Sequence, residues 1–302
     1  MHGVRRAWST EHLTRHLADK ARRLAERASR GVVLRRQLPA ELGAGTLFVS
    51  PDARLRLWHP RLKHSAADLL PRVGELVRPG DVVWDVGSNV GIFAFAAAAR
   101  AGVEGRVLSI EPDDWLLGLQ RRSLAAQPGG QAEVDLLSVA VSDRLGLADL
   151  SIAARGRAAN HLCDARGSSQ TGGARETRRV VCVTLDWLLD YYPSPDLIKV
   201  DVEGAELQLL AGAKRILEEV RPLWLCEVRP EAAEEIAALW QSAGYALFDA
   251  SHPLAAQGKA LELPACDTLA VPKERLRGGL RAPSLPRTEF ESLRSPSSTS
   301  QV

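Results

Sequence analysis

Residues 81–100 read DVVWDVGSNVGIFAFAAAAR, an apolar run that breaks at Gly87 and Gly91 and resumes as an alanine-rich helical pattern. A strand, a glycine turn and a helix start, in that order, form the ligand end of a parallel α/β sheet. A dinucleotide site needs a further glycine in the middle of the turn, so that the backbone can approach the pyrophosphate. Asn89 holds that position here, which argues against an NAD-dependent oxidoreductase. No Gly-Lys-Ser/Thr follows, so the turn is not a phosphate-cradling loop either. S-adenosylmethionine fits better: it carries adenosine without phosphate, and its small amino-acid end asks only for a glycine turn and helix-start amides. Gly87, Ser88, Asn89 and Gly91 are therefore the expected cofactor turn.

Outward from that stretch, short apolar runs alternate with helical patterns. VVWDV (82–86) precedes a helix over 89–101, and RVLSIE (106–111) precedes one over 113–126 that Asp113 can cap. VDLLSVAV (134–141) reads as a third strand and GLADLSIA (146–153) as an extra one, followed by a Gly/Ser/Arg-rich loop over 155–178. RVVCVT (179–184) leads to a short helix capped by Thr184. DLIKVDV (196–202) and LWLCEV (223–228) are each followed by a helix, over 204–219 and 231–243. YALFDA (245–250) and DTLAV (267–271) have no helix between them and read as an antiparallel edge hairpin. Strands joined by helices predict a mostly parallel sheet covered on both faces.

Acidic residues stand where such a ligand needs them. Asp85 ends the first strand, within reach of the ligand's ammonium directly or through water. Glu111 ends the second, where a carboxylate accepts from both ribose hydroxyls. Asp143 follows the third, at the expected adenine edge. Along LIKVDVE, alternation puts Lys199, Asp201 and Glu203 on one face. Three ionisable groups on one face of a central strand are costly as core. Glu227 ends the neighbouring strand and converges on the same space, and His161 sits in the loop expected to overhang it.

The remainder of the chain sets limits. Its 302 residues, 45% apolar and 25% charged, suffice for one large domain with appendages. The first 40 residues hold ten Lys and Arg against three Asp and Glu, whereas the body from 41 to 272 is acidic. An acidic body does not suggest a nucleic-acid surface. A basic amphipathic helix over 8–30, with Leu13, Leu17, Ala21, Leu24 and Ala28 as its apolar stripe, packs on the body or makes weak peripheral contact with a membrane. No apolar run reaches the length of a membrane span. Cys163, Cys182, Cys226 and Cys266 match no zinc spacing and are expected to be free thiols in a cytoplasmic protein. The expected division is a helix-and-strand region over 1–60, a catalytic domain over 61–275 and an unstructured tail over 276–302. The oligomeric state is left open.

DVGSNVG, SIEP, VTLDWLL, LIKVDVEGAELQLLAGA and CEV, in that order, resemble the FkbM-type S-adenosylmethionine-dependent methyltransferases. CDTLAVPKE is similar to that family's closing strand. The resemblance implies a class I methyltransferase fold, a Rossmann-like seven-stranded sheet with its last strand antiparallel. It also implies O-methylation of a hydroxyl on a sugar, glycan or polyketide-like natural product. Two positions depart from the family: Ser88 stands where alanine is usual, and Arg229 where many members carry histidine. Two chemistries remain open. Asp201 or Glu203 acts as general base tuned by Lys199, or Asp201, Glu203 and Glu227 hold Mg²⁺ that acidifies the acceptor hydroxyl. A non-catalytic binding module is the rival of a different class.

Overall fold

The computed structural model describes residues 10–165 and 172–278. The expected tail lies outside the described residues from 279 onward, as do residues 166–171 of the long loop. The elements run α1 (Thr10–Ala28), β1 (Leu34–Gln37), β2 (Thr46–Val49), α2 (Leu62–Ser65) and α3 (Leu70–Leu76), then β3 (Val82–Val86), α4 (Ile92–Ala101), β4 (Arg106–Ile110), α5 (Asp114–Leu124) and β5 (Glu133–Leu137). An inserted unit follows: β6 (Ala140–Val141), β7 (Gly146–Ala153), β8 (His161–Leu162) and β9 (Ala174–Val183). The chain closes with α6 (Leu185–Leu188), β10 (Leu197–Val200), α7 (Glu206–Ala211), β11 (Leu223–Glu227), α8 (Ala233–Ser242), β12 (Tyr245–Asp249) and β13 (Asp267–Pro272).

Seven strands form the main sheet in the order β12-β13-β11-β10-β3-β4-β5. β13 is antiparallel to both its neighbours, and the pairs from β11 to β5 are parallel. Side-chain alternation splits the interior into two cores. Val83, Val107 and Leu197 face α4 and the N-terminal region. Trp84, Leu108, Ile198 and Trp224 face Leu188, Leu209 and Trp240 on the other side. Each fully buried side chain of this size contributes roughly 1.5–3 kcal/mol relative to exposure.

Several expectations change. The run 134–141 is two strands, because the backbone leaves the main sheet after Leu137 and β6 pairs with β9 in a second, four-stranded sheet ordered β6-β9-β7-β8. The 155–178 loop is shorter than expected: β8 forms inside it, and β9 begins at Ala174 to pair along the length of β7. RLRLWHP forms a 3-10 turn at Leu55–Trp58. Residues 34–60 are not a region apart, since Leu38, Leu47, Val49 and Leu57 share one core with α4. The Phe48 amide also donates to Ser123 Oγ at 2.8 Å, and Gln127 Nε2 to the Thr46 carbonyl at 2.7 Å, fastening β2 to the end of α5. On α1 the expected stripe turns outward at Leu24, which is 69% exposed. Glu26 faces inward instead, because Arg155 pairs with it at 3.1 Å. The thiols are free, but only Cys182 and Cys226 are buried.

Candidate active site

The turn after β3 is held by its own backbone. The Gly87 and Ser88 amides both donate to the Ile110 carbonyl at 3.0 Å, and Gly91 donates to Ser88 O at 2.8 Å. Asn89 takes a left-handed φ of 55°, donates its amide to Glu111 Oε2 and caps the Val90 amide with its own Oδ1. The expected donors to the cofactor's carboxylate were the glycine turn and the helix-start amides; the turn amides from Gly87 to Gly91 are engaged internally. Gln120 of α5, unmarked by any motif, completes the brace by donating to Ser88 Oγ and Asn89 O while accepting from Ser109 Oγ. Gly87 is required on steric grounds, since a Cβ there would lie 1.8 Å from the Asp201 carbonyl oxygen.

Glu111 closes β4. Its Oε2 accepts from Asn89 and its Oε1 from the Asp113 amide at 2.9 Å, so the carboxylate is fixed with lone pairs to spare. Burial, with the nearby Asp113 charge, pushes its pKa up to about 8 against the pull of those two amides. An apolar cleft opens beside it, lined by Pro112, Val139, Val141 and Leu150, with Gly87, Val202 and Ala205 at its other parts. His161 and Leu162 of β8 line the same cleft. His161 thus lies at this cleft and not at the acid cluster, with Nδ1 3.1 Å from the Ala159 carbonyl. Asp143 does not line the cleft, because β6 carries it into the second sheet, where it pairs with Arg144 at 3.3 Å.

Asp85 and Lys199 stand opposite each other in the β3–β10 register, and Lys199 Nζ sits 3.1 Å from Asp85 Oδ1. Nζ also donates to Gly87 O at 2.9 Å and lies 3.7 Å from Asp201 Oδ2. Burial works against the Lys199 charge, but Asp85 and Asp201 outweigh it and hold its pKa above the ordinary lysine value. Burial raises the Asp85 pKa, with Lys199 opposing. Asp85 is fully buried and pairs with Lys199, and the Ala94 amide also favours its ionised form.

The expected face of three ionisable groups breaks after Asp201. β10 ends at Val200, and Glu203 (φ 55°) and Gly204 (φ 105°) turn the chain through two left-handed residues. Glu203 therefore swings to Arg229, whose Nη2 donates to it at 2.5 Å. Burial, then the charges of Asp201 and Glu227, raises Glu203 to about 8 in spite of that arginine. Asp201 and Glu227 instead line a cavity of about 530 Å³ with Lys199 and Asp267. Its other wall comes from the N-terminal segment, through Arg54, Asp68 and Arg72. The Asp201 charge first, then burial and Asp267, raises the Glu227 carboxyl to about 7. Among the described residues no group of three His, Cys, Asp or Glu is placed to hold a metal ion, so the Mg²⁺ site expected at Asp201, Glu203 and Glu227 is not supported. Glu203 has left that set for Arg229.

The inserted unit is pinned over this end of the sheet by charge. Asp113 caps α5 through the Trp115 amide, accepts from Asn160 Nδ2 at 2.9 Å and pairs with Arg157. Asp52 pairs with Arg157 at 3.2 Å and with Arg175. Burial opposes the Asp52 charge, yet the two guanidiniums hold its pKa below the usual carboxylate value. Arg157 also stacks over the Trp115 ring at 4.6 Å, so Trp115 meets a guanidinium on one face. In the sequence Asp113 signalled only a helix cap; its long-range partners carry no local signature.

The residues present suit S-adenosylmethionine at its adenosine end. Glu111 offers its free lone pairs to a ribose diol, and Pro112, Val139 and Val141 offer an apolar slot for the base. Residues 85–247 match the Methyltransferase FkbM domain. The Hexuronic acid methyltransferase AglP of Haloferax volcanii is 29% identical over 166 residues, covering 54% of this chain and 63% of that protein. The chain thus spans less than two thirds of the length of that curated relative. Among solved structures, a methyltransferase FkbM from Methylobacillus flagellatus KT aligns at 13% identity and a TM-score of 0.39, covering 69% of this chain and 52% of that one. A SAM-dependent methyltransferase from Aquifex aeolicus aligns at 15% identity and 0.36, covering 68% and 90%. The sheet order with its reversed seventh strand is the class I methyltransferase fold. The family match takes in more than half of the sequence, and the chain belongs to the FkbM methyltransferase family.

Proposed function

We propose that the protein transfers a methyl group from S-adenosylmethionine to a hydroxyl of a sugar or glycan acceptor. The observation that carries this is Glu111: a buried carboxyl group at the end of β4, its orientation fixed by two backbone amides, beside an apolar cleft and next to the glycine turn. The relative that acts on hexuronic acid supports a sugar as acceptor. When bound, the cofactor supplies an electrophilic methyl group.

The chain's own part is to position the acceptor and take its proton. The cavity of Asp201, Glu227 and Asp267 adjoins the turn through Lys199, which bonds to Gly87 O. Carboxylates are good acceptors for sugar hydroxyls, and fixing the reacting oxygen in place can supply several kcal/mol of the barrier. Glu227 is the general base in this reading. A pKa of about 7 leaves it ionised above neutrality and basic enough to accept a hydroxyl proton in the transition state. Lys199 positions Asp201 and, through Asp85, locks the turn to β10. Glu203 serves as the structural partner of Arg229.

Calorimetry with S-adenosylhomocysteine, followed by turnover of labelled S-adenosylmethionine with uronic acid and neutral hexose acceptors, tests the proposal. Binding that Glu111→Ala weakens, together with label on a sugar, is the expected result. Binding without turnover on any acceptor would favour a non-catalytic module, and no binding at all would end the reading.

A further inference from the structure

Most arginines of the described body meet a carboxylate: Arg155 meets Glu26, Arg175 Asp52, Arg179 Asp149, Arg215 Asp190, Arg221 Glu274 and Arg229 Glu203. One cavity departs from this pattern. It measures about 430 Å³, shares no lining residue with the cofactor cleft or the acid cavity, and is lined by Arg35, Arg36, Arg61 and Lys63 together with Gln37, Leu62 and two prolines. No acidic side chain lines it, and Arg35, Arg61 and Lys63 make no ion pair among the described residues.

The cleft is built rather than a chance gathering of surface charge. Arg36 donates from Nε to His59 O at 3.0 Å, from Nη2 to Leu57 O at 3.1 Å and Trp58 O at 3.0 Å, and from Nη1 to Arg35 O at 3.0 Å. One guanidinium thereby ties β1 to the 57–59 turn and fixes the two halves of the cleft against each other. Carbonyl dipoles satisfy its N–H groups without cancelling its charge. The Arg61 amide donates to His59 Nδ1 at 3.1 Å, which orders the next residues of the wall. The positive field reaches His64, whose pKa falls through partial loss of water and then through His59, Lys63 and Arg61.

We propose that this cleft binds a phosphoryl group. Guanidinium forks and an ammonium match tetrahedral phosphate oxygens, and a concave wall of one sign concentrates an anion at its mouth. The volume lies in the range of small-ligand sites, which leaves room for the group that carries the phosphate. The site is independent of the methyl-transfer reading.

Titration calorimetry of the full chain with inorganic pyrophosphate is expected to show saturable binding. Replacing Arg61→Ala together with Lys63→Ala should weaken it about tenfold or more, as the loss of two charge-assisted contacts requires. Replacing Arg121→Ala with Lys214→Ala removes equal charge elsewhere and should leave binding unchanged. An unaltered thermal transition shows that each variant is folded, and the single exposed change Lys63→Glu gives the same readout if the double variant fails to fold. Cosedimentation with phosphatidylglycerol vesicles, with phosphatidylcholine as the blank, distinguishes the sources. Vesicle binding lost in the same variants assigns a lipid headgroup, whereas pyrophosphate binding without vesicle binding assigns a soluble phosphorylated compound. Absence of saturable pyrophosphate binding, or an equal loss in the Arg121/Lys214 control, overturns the proposal.

Discussion

Glu203 and Glu227 are both raised carboxyls near one cavity, yet their surroundings give them different work. Glu203 is tied to Arg229 and sits in a left-handed backbone conformation that costs a non-glycine residue roughly 1–3 kcal/mol. Glu227 makes no ion pair among the described residues and lines the cavity. Glu227→Gln is therefore expected to lower kcat by about 10²–10⁴-fold with little change in cofactor affinity. Glu203→Gln, which keeps a hydrogen bond to Arg229, should retain most turnover. Steady-state kinetics of the two variants decides between them, and a wild-type kcat that does not rise with pH through about 7 would remove Glu227 from the role. Gly87→Ala is a different kind of change. Its Cβ would meet the Asp201 carbonyl at 1.8 Å, from a φ of 74° that alanine disfavours. Both cofactor binding and the melting temperature should fall, because the turn cannot move without displacing β10.

At the scale of elements, the second sheet meets the main core only at its β6–β9 edge, through Val141 and Val183; Leu150, Ile152 and Leu162 form a small core of their own, and guanidinium–carboxylate pairs hold that part to the body. Arg157 touches Asp52, Asp113 and Trp115 at once. Arg157→Ala would leave Asp113 buried with fewer partners, which typically costs about 3–5 kcal/mol. Chemical denaturation is expected to show that loss, and hydrogen exchange should rise across 146–162 before it rises in β3 or β10. Uniform exchange would mean that the unit is not a separate layer. The main sheet was legible because each strand is an apolar run bounded by turn residues, from Val82 to Val86 for β3 as predicted. The break between Leu137 and Ala140 was not, because nothing in VDLLSVAV changes where the chain passes from one sheet to another. Likewise the sequence marked Glu111, Lys199, Asp201 and Glu227 by strand ends and alternation. Arg54, Asp68 and Asp267 went unmarked, since only long-range folding brings them to the same cavity.

For the whole molecule, the raised carboxyls set an unusual dependence on pH. Glu111 and Glu203, at about 8, keep protons in the folded chain that a free glutamate, at 4.5, has released. The folded state binds more protons between those values, so stability falls as pH rises from about 4.5 to about 8. Asp52 acts in the opposite sense at the acid end. Its lowered pKa adds stability above its ordinary value of 3.8, and that share is lost as pH falls below it. The melting temperature of the ligand-free protein is expected to peak on the acid side of neutrality, with Glu111→Gln flattening the decline above the peak. A flat profile in the parent would refute the assignment. The sheet order has one more consequence. Among the described residues β13 is the last strand in chain order, yet it lies between β12 and β11 and supplies the ladder through which β12 joins the sheet. On the ribosome, the stretch from Tyr245 to Asp249 must wait unpaired until residue 272 has cleared the exit tunnel. A chain stalled or cut short before residue 272 would present that bare strand to chaperones.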